Sequence, residues 1–140
     1  MSFLLDTSAL SELVKPSPNP GLIAWLAATE EDRLFISVLT IGELVKGVAK
    51  LSGGAKRLRL QFWLERDLAA RFAGRTLVID EPIGNCWGKM QAAAEKRGRP
   101  LPVIDSLIAA TASVRSLVIV SRNVNDFKRT GVATIDPWSQ

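Results

Sequence analysis

The chain has no histidine and a single cysteine, Cys86. Ser-His-Asp and Cys-His nucleophilic machinery, histidine-ligated zinc and multi-cysteine zinc sites are therefore excluded. Chemistry must run on carboxylates, hydroxyls, amides and bases. Five residues stand out by their setting: Asp6, Glu43, Asp105, Asn123 and Asp126. Asp6 opens Asp6-Thr7-Ser8 directly after the apolar Phe3-Leu4-Leu5. Asp105 lies between Ile104 and Leu107-Ile108, where an ionised carboxylate is costly unless something pairs with it. Asn123 and Asp126 belong to Ser121-Arg122-Asn123-Val124-Asn125-Asp126, which follows another apolar run. If such acids converge they repel, and one is forced toward protonation. Mg²⁺ or Mn²⁺ relieves that repulsion, being a hard cation that takes oxygen ligands, and lowers the pKa of its bound water so that no histidine base is needed.

Each residue also has a plain structural reading. Asp6 could cap the helix it precedes. Glu43 could pair with Lys46 or Lys50 at helical spacing. Asp105 could be a first-turn acid favoured by the helix dipole, and Asn123, Asn125 and Asp126 are ordinary turn and cap types. The functional reading requires that the acids be aimed at one place, which depends on the elements that carry them.

Those elements alternate. Phe3-Leu4-Leu5, Leu34-Phe35-Ile36, Thr76-Leu77-Val78-Ile79 and Leu117-Val118-Ile119-Val120 are short apolar runs with β-branched content, suited to strands buried on both faces. Helices are expected at Thr7 to Val14, closed by the Lys15-to-Pro20 breaker, and at Gly21 to Ala28. Ile41, Leu44, Val45, Val48 and Leu51 trace an amphipathic helix that stops at Ser52-Gly53-Gly54. Further helices are expected from Ala55 to Phe72, Glu81 to Gly98, and Pro102 to about Ser113, with Val132 to Ile135 as an edge strand. Strands separated by helices imply right-handed crossovers. The expected fold is one three-layer α/β domain over residues 1–140, a mostly parallel central sheet with helices on both faces. In such sheets, sites form outside the carboxyl ends of the strands, where Asp6-Thr7-Ser8, Ser121 to Asp126, and Ser37-Val38-Leu39-Thr40 leading into the helix of Glu43 fall, while Asp105 sits one turn into the helix opened by Pro102.

A length of 140 residues suits one domain, and no repeat, low-complexity tract or linker divides it. No window approaches the ~18 apolar residues of a membrane span. With one free thiol and no export signal at the start, a cytoplasmic location is expected. The balance of 18 Lys and Arg against 14 Asp and Glu, a net +4, is compatible with a nucleic-acid partner without requiring one.

The acidic segments resemble a known family. Leu4-Leu5-Asp6-Thr7-Ser8 is similar to the opening of a PIN-domain ribonuclease. Thr40-Ile41-Gly42-Glu43-Leu44-Val45-Lys46-Gly47 is similar to its second acidic motif, with Gly47 four residues after Glu43. The run from Pro102 to Ala112 resembles the third, in which Asp105 begins a small-residue helix, and Val120 to Phe127 resembles the fourth. The motifs stand in family order across residues 4–127, nearly the whole chain. The compact length resembles the VapC-type toxins of bacterial toxin–antitoxin pairs. That resemblance implies a Mg²⁺- or Mn²⁺-dependent endoribonuclease, usually a homodimer, held inactive by a small VapB-like antitoxin. It departs from some relatives in carrying Asn123 where they have aspartate, so the fourth metal-site group is the Asn123 amide, the Asp126 carboxylate, or both through water.

On this reading Asp6 and Asp105 are the principal metal ligands, and Glu43 is a ligand through water or orients the attacking water. Thr7 and Ser121 would donate hydrogen bonds to those ligands. Three basic stretches could bring a polyanion to the acids: Lys46 to Arg59, Lys89 to Arg99, and Arg115 to Arg129. Arg122 is the favoured RNA contact, with Lys46 behind it. Any one stretch is equally an ordinary solvated helix face. Trp25, Trp63 and Trp87 are expected in the core, although Phe62 and Trp63 could form a groove for an antitoxin helix. Two other classes remain to be weighed: a catalytically silent RNA-binding module that blocks rather than cleaves, and a receiver-like phosphoacceptor, for which the acidic pair and lysine at the appropriate strand ends are not evident.

Overall fold

The computed structural model describes residues 1–139. Five strands form one sheet in the order β3-β2-β1-β4-β5, every neighbouring pair parallel. β1 (Ser2–Leu5) leads into α1 (Thr7–Leu13) and α2 (Pro20–Ala28). β2 (Leu34–Ser37) leads into α3 (Val38–Ala49) and then α4 (Ala55–Phe62), which a π-helical segment, Trp63–Leu68, joins to α5 (Ala69–Arg71). After β3 (Thr76–Leu77) come α6 (Glu81–Lys96) and α7 (Val103–Arg115), then β4 (Leu117–Val120), α8 (Val124–Lys128) and β5 (Thr134–Ile135).

The three-layer expectation holds, and the strands show why. Side chains alternate across a strand, and here both faces are buried. Leu5, Leu34, Ile36 and Val120 point into a core closed by Leu10, Leu22, Leu44, Leu68 and Phe72. Leu4, Leu117 and Ile119 point the other way, against Ile108, Ala109, Ala112 and Phe127. Helices α1, α2 and α3 with the π-helical segment thus cover one face, and α7 and α8 the other.

Two strands are shorter than their apolar runs. β3 stops at Leu77, because its pairing partner there is Ser37 and the next β2 residue, Val38, already begins α3. Val78 is accordingly exposed. β5 begins only at Thr134, since Gly131 turns with a positive φ of 75° and Val132 N–H is taken by the Thr130 hydroxyl. α6 ends two residues before the expected Gly98, whose φ of 72° makes it the left-handed residue beyond the helix. α7 runs past Ser113 to Arg115 and stops where Ser116 adopts φ 56°. The segment after β4, to which no helix was assigned, makes the short α8.

Strand order fixes where a site can form. The connection after β1 passes to the face of α1, whereas the connection after β4 passes to the face of α8. The crevice between two adjacent parallel strands whose connections diverge is the topological switch point, and Asp6 and Ser121 are the residues that end those two strands.

Candidate active site

Asp6 follows β1, and its N–H continues the ladder by donating to Val120 O at 2.9 Å. It occupies the N-cap position of α1, yet its side chain caps nothing. Its Oδ2 instead accepts from the Ser121 hydroxyl at 2.8 Å and from the Ser8 hydroxyl at 3.3 Å. These two hydroxyls in turn accept backbone N–H groups of the loop after β4, Ser121 from Asn123 at 2.9 Å and Ser8 from Arg122 at 3.2 Å. The two strand-end loops are thereby pinned together around one buried carboxylate.

Glu43 sits on α3, exposed, with its Oε1 receiving the Thr7 hydroxyl at 2.6 Å. Neither Lys46 nor Lys50 pairs with it among the described residues, so the solvated-pair reading is not what the fold does. Asp105 lies in the first turn of α7, half-buried. Burial pushes its carboxyl up to about 6, and the nearby charges of Asp6, Asp126 and Glu43 push the same way. Asp126 stands exposed in the first turn of α8, while Asn123 precedes that helix without capping it through its side chain. Asp105 is thus near enough to Asp6, Glu43 and Asp126, which come from three other parts of the chain, for their charges to act on its carboxyl, and Asn123 lies in the same loop region as Asp126.

The start of α7 is held from outside the acidic motifs. Gln91, buried on α6, grips Leu101 at both ends: its Nε2 donates to Leu101 O at 2.8 Å and its Oε1 accepts Leu101 N–H at 2.7 Å. Ser106, next to Asp105, receives Trp87 Nε1–H at 2.9 Å and donates within the first turn to Pro102 O. Sequence reasoning assigned no site role to Ser8, Gln91, Trp87 or Ser106. Ser8 stood inside the first acidic segment and was within its reach; a glutamine on a helix carries no such signal.

All four acids offer hard oxygen donors. Among the described residues none is in an ion pair, in contrast to Glu12, Glu30, Glu31 and Asp80. The repulsion is thus left uncompensated by protein cations. No three His, Cys, Asp or Glu side chains among the described residues form a ready-made metal cage. The two basic residues singled out nearby, Lys46 on α3 and Arg122 after β4, are both exposed.

Residues 3–133 match the PIN domain family. The chain belongs to it. The PIN domain is 36% identical over 135 residues to Toxin FitB of Neisseria gonorrhoeae, covering 96% of this chain and 97% of that one. It is 32% identical to VapC ribonuclease Y4jK of Sinorhizobium fredii, covering 96% of each. Its fold superposes on the crystal structure of FitAcB from Neisseria gonorrhoeae with a TM-score of 0.91 at 36% identity, covering 99% of both chains. VapBC-1 from nontypeable Haemophilus influenzae gives a TM-score of 0.80 at 28% identity over the whole of both chains. The PIN-domain resemblance drawn from the four acidic segments is thus borne out.

A hollow of about 250 Å³ opens beside the acids on the PIN domain, between α1, α3 and α4. Leu51, Leu60 and Trp63 line it together with Thr7, Glu43 and Lys56. Trp63 also packs against the core, and Trp25 does so edge-on to Phe3, with ring centroids 4.8 Å apart. Phe62 next to Trp63 is exposed, as an interaction surface requires.

Proposed function

We propose that this PIN domain is the toxin of a type II toxin–antitoxin pair, an endoribonuclease that hydrolyses RNA phosphodiester bonds with Mg²⁺ or Mn²⁺. The observation that carries the reading is the convergence of Asp6, Glu43, Asp105 and Asp126 at the switch point with no protein cation paired to them among the described residues. A binding-only surface gains nothing from acids that repel phosphate.

Asp6 and Asp105 are the principal ligands in this reading, with Glu43, Asn123 and Asp126 contributing directly or through water. When bound, the ion supplies an activated water and charge neutralisation at the phosphate. The chain's own residues do the rest. Ser121 and Ser8 hold Asp6 through Oδ2. Thr7 holds Glu43 by a hydrogen bond, and in this reading Glu43 orients the attacking water. Arg122 and Lys46 stand exposed nearby as candidate phosphate contacts.

The partner proposed is a VapB-like antitoxin whose apolar side chains enter the hollow at Leu51, Leu60 and Trp63 and whose basic group meets Glu43. Similar chains from the FitAcB and VapBC-1 structures support this choice. A homodimer and a cytoplasmic location complete the proposal, the latter in keeping with the single thiol of Cys86. The test is cleavage of RNA by wild type and Asp105→Asn, with Mg²⁺, with Mn²⁺ and with EDTA. Cleavage that needs both metal and Asp105 supports the reading. RNA binding with no cleavage in any metal overturns it in favour of the silent module.

A further inference from the structure

A second feature lies on the other flank of α8, built from two basic stretches that are distant in sequence. Asn85, Lys89, Ala93 and Arg97 recur every fourth residue along α6 and so form one stripe. That stripe and Arg129-Thr130, just beyond α8, line a groove of about 600 Å³. An adjoining hollow shares Arg97 and Arg129 and adds Arg99. No carboxylate lines either one. Lys15, Arg33, Arg71, Arg75 and Arg115 are each in an ion pair, but Lys89, Arg97, Arg99 and Arg129 are in none among the described residues. Arg129 is also pre-set: its guanidinium donates to the carbonyls of Arg99 and Pro100, anchoring it at the α6–α7 connection.

The groove is placed to serve the acidic centre. Arg129 follows Asp126 by one helical turn, and the connection holding Arg99 runs on into the turn bearing Asp105. Lys89 and Arg97 are eight residues apart, about 12 Å along the helix axis, a span that meets phosphates more than one nucleotide apart. We propose that this α6–α8 groove is an RNA-backbone site, which takes the phosphates of the strand flanking the scissile bond and so adds affinity without reading sequence. The inference rests on the ribonuclease reading but concerns residues outside the acidic cluster.

The test uses the full chain with the double variant Lys89→Gln/Arg97→Gln, and Arg33→Gln/Arg66→Gln, two exposed residues outside all three basic stretches, as a control of equal charge. Binding of single-stranded RNA is followed by fluorescence anisotropy in EDTA across a salt series. The groove variant should bind about tenfold more weakly and lose about 1.4 from the slope of log K against log salt, from ~0.7 per phosphate contact. The control should stay near wild type. In metal, the groove variant should raise KM for RNA with kcat unchanged. An equal loss in the control would reduce the effect to bulk charge and overturn the proposal. Unchanged binding in the groove variant would overturn it too, and if oligomeric state shifted instead, the groove would belong to contact between copies. Wild type that cleaves RNA through either failure keeps the ribonuclease reading; wild type that neither binds nor cleaves loses both.

Discussion

The Ser121 hydroxyl donates to Asp6 Oδ2 at 2.8 Å, joining the ends of two adjacent parallel strands through residues 115 positions apart. Ser8 donates to the same oxygen, so Oδ1 is left with no protein partner among the described residues. One carboxylate oxygen is fixed and the other is free for a ligand. Groups that orient a metal ligand in this way typically carry a 10–100-fold effect on metal affinity. Ser121→Ala should therefore weaken Mn²⁺ binding by about tenfold or more, read as a smaller metal-induced rise in Tm, while Ser121→Thr restores it. The circular dichroism spectrum should not change. An alanine variant with wild-type metal response would reduce the contact to a structural one.

Asp105 makes a pH-dependent prediction with a definite sign. Its folded-state carboxyl titrates at about 6, against 3.8 unperturbed. Between those values the folded chain binds more protons than the unfolded chain, so this residue's contribution to stability falls as pH rises. Asp105→Asn should be more stable than wild type at pH 7.5 and equal to it near pH 3.5, where both carry a neutral group. Solvent screening of a half-exposed group reduces the gain to about 1 kcal/mol. Urea denaturation at both pH values in EDTA measures it. Metal should reverse the ranking at pH 7.5 by stabilising only the folded wild type. A destabilised Asp105→Asn at pH 7.5 in EDTA would mean that the carboxylate has a favourable partner and is not held against its neighbours' charge.

Glu12 has the opposite sign. Lys15, then Trp138, hold its carboxyl below the usual carboxylate range through hydrogen bonds, and the Asn19 N–H adds to them. Its contribution is present above the ordinary glutamate range and is lost as pH falls through the lowered folded value. Glu12→Gln should thus be less stable than wild type at pH 7 and close to it at pH 3, by urea denaturation in EDTA. An equal difference at both pH values would point to packing rather than to charge.

Part of this site was legible in the sequence for a physical reason. Asp6, Glu43, Asp105 and Asp126 each stand where an apolar run or amphipathic helix meets polar residues, and strand-end placement follows from the alternation of elements. The convergence itself needed strand order, because the neighbour of β1 is β4 and not its sequence successor on both sides. What stayed hidden was support with no local pattern. Gln91 is one polar residue on a helix face, and nothing in its neighbourhood reveals that Leu101 lies opposite. The ends of β3 and β5 were hidden likewise: Val78 reads as strand by type but would face Val38, which already begins α3, and Val132 reads as strand but follows the Gly131 turn and gives its N–H to the Thr130 hydroxyl.

The Gln91 clamp yields the largest stability prediction. Gln91→Ala leaves both backbone groups of Leu101 without their partners in a buried setting, and unmade buried hydrogen bonds cost about 1–3 kcal/mol each. A loss of about 3 kcal/mol in urea denaturation is expected. Gln91→Glu should not recover it, since a buried carboxylate oxygen would then face the Leu101 carbonyl oxygen. Because the clamp seats the segment that leads to Asp105, metal response should fall in Gln91→Ala even at temperatures where it is fully folded. A folded Gln91→Ala with full metal response would separate the clamp from the site.

The hollow beside Glu43 gives a prediction that separates partner binding from catalysis. Leu60 lines it, whereas Leu58, on the same helix, is 68% exposed and does not line it. Leu60→Ser should weaken antitoxin binding by about tenfold or more, in keeping with loss of an apolar contact in a desolvated pocket, while RNA cleavage without antitoxin persists. Leu58→Ser should leave both unchanged. Trp63 is a poorer probe because it also packs against the core, so its truncation destabilises the fold directly. Glu43→Gln removes a residue shared by the two functions, and both should suffer. Titration calorimetry with the cognate antitoxin, alongside cleavage rates, distinguishes the cases. Equal antitoxin affinity for wild type and Leu60→Ser would move the docking surface away from the α1–α3–α4 hollow, leaving the acidic centre and its chemistry untouched.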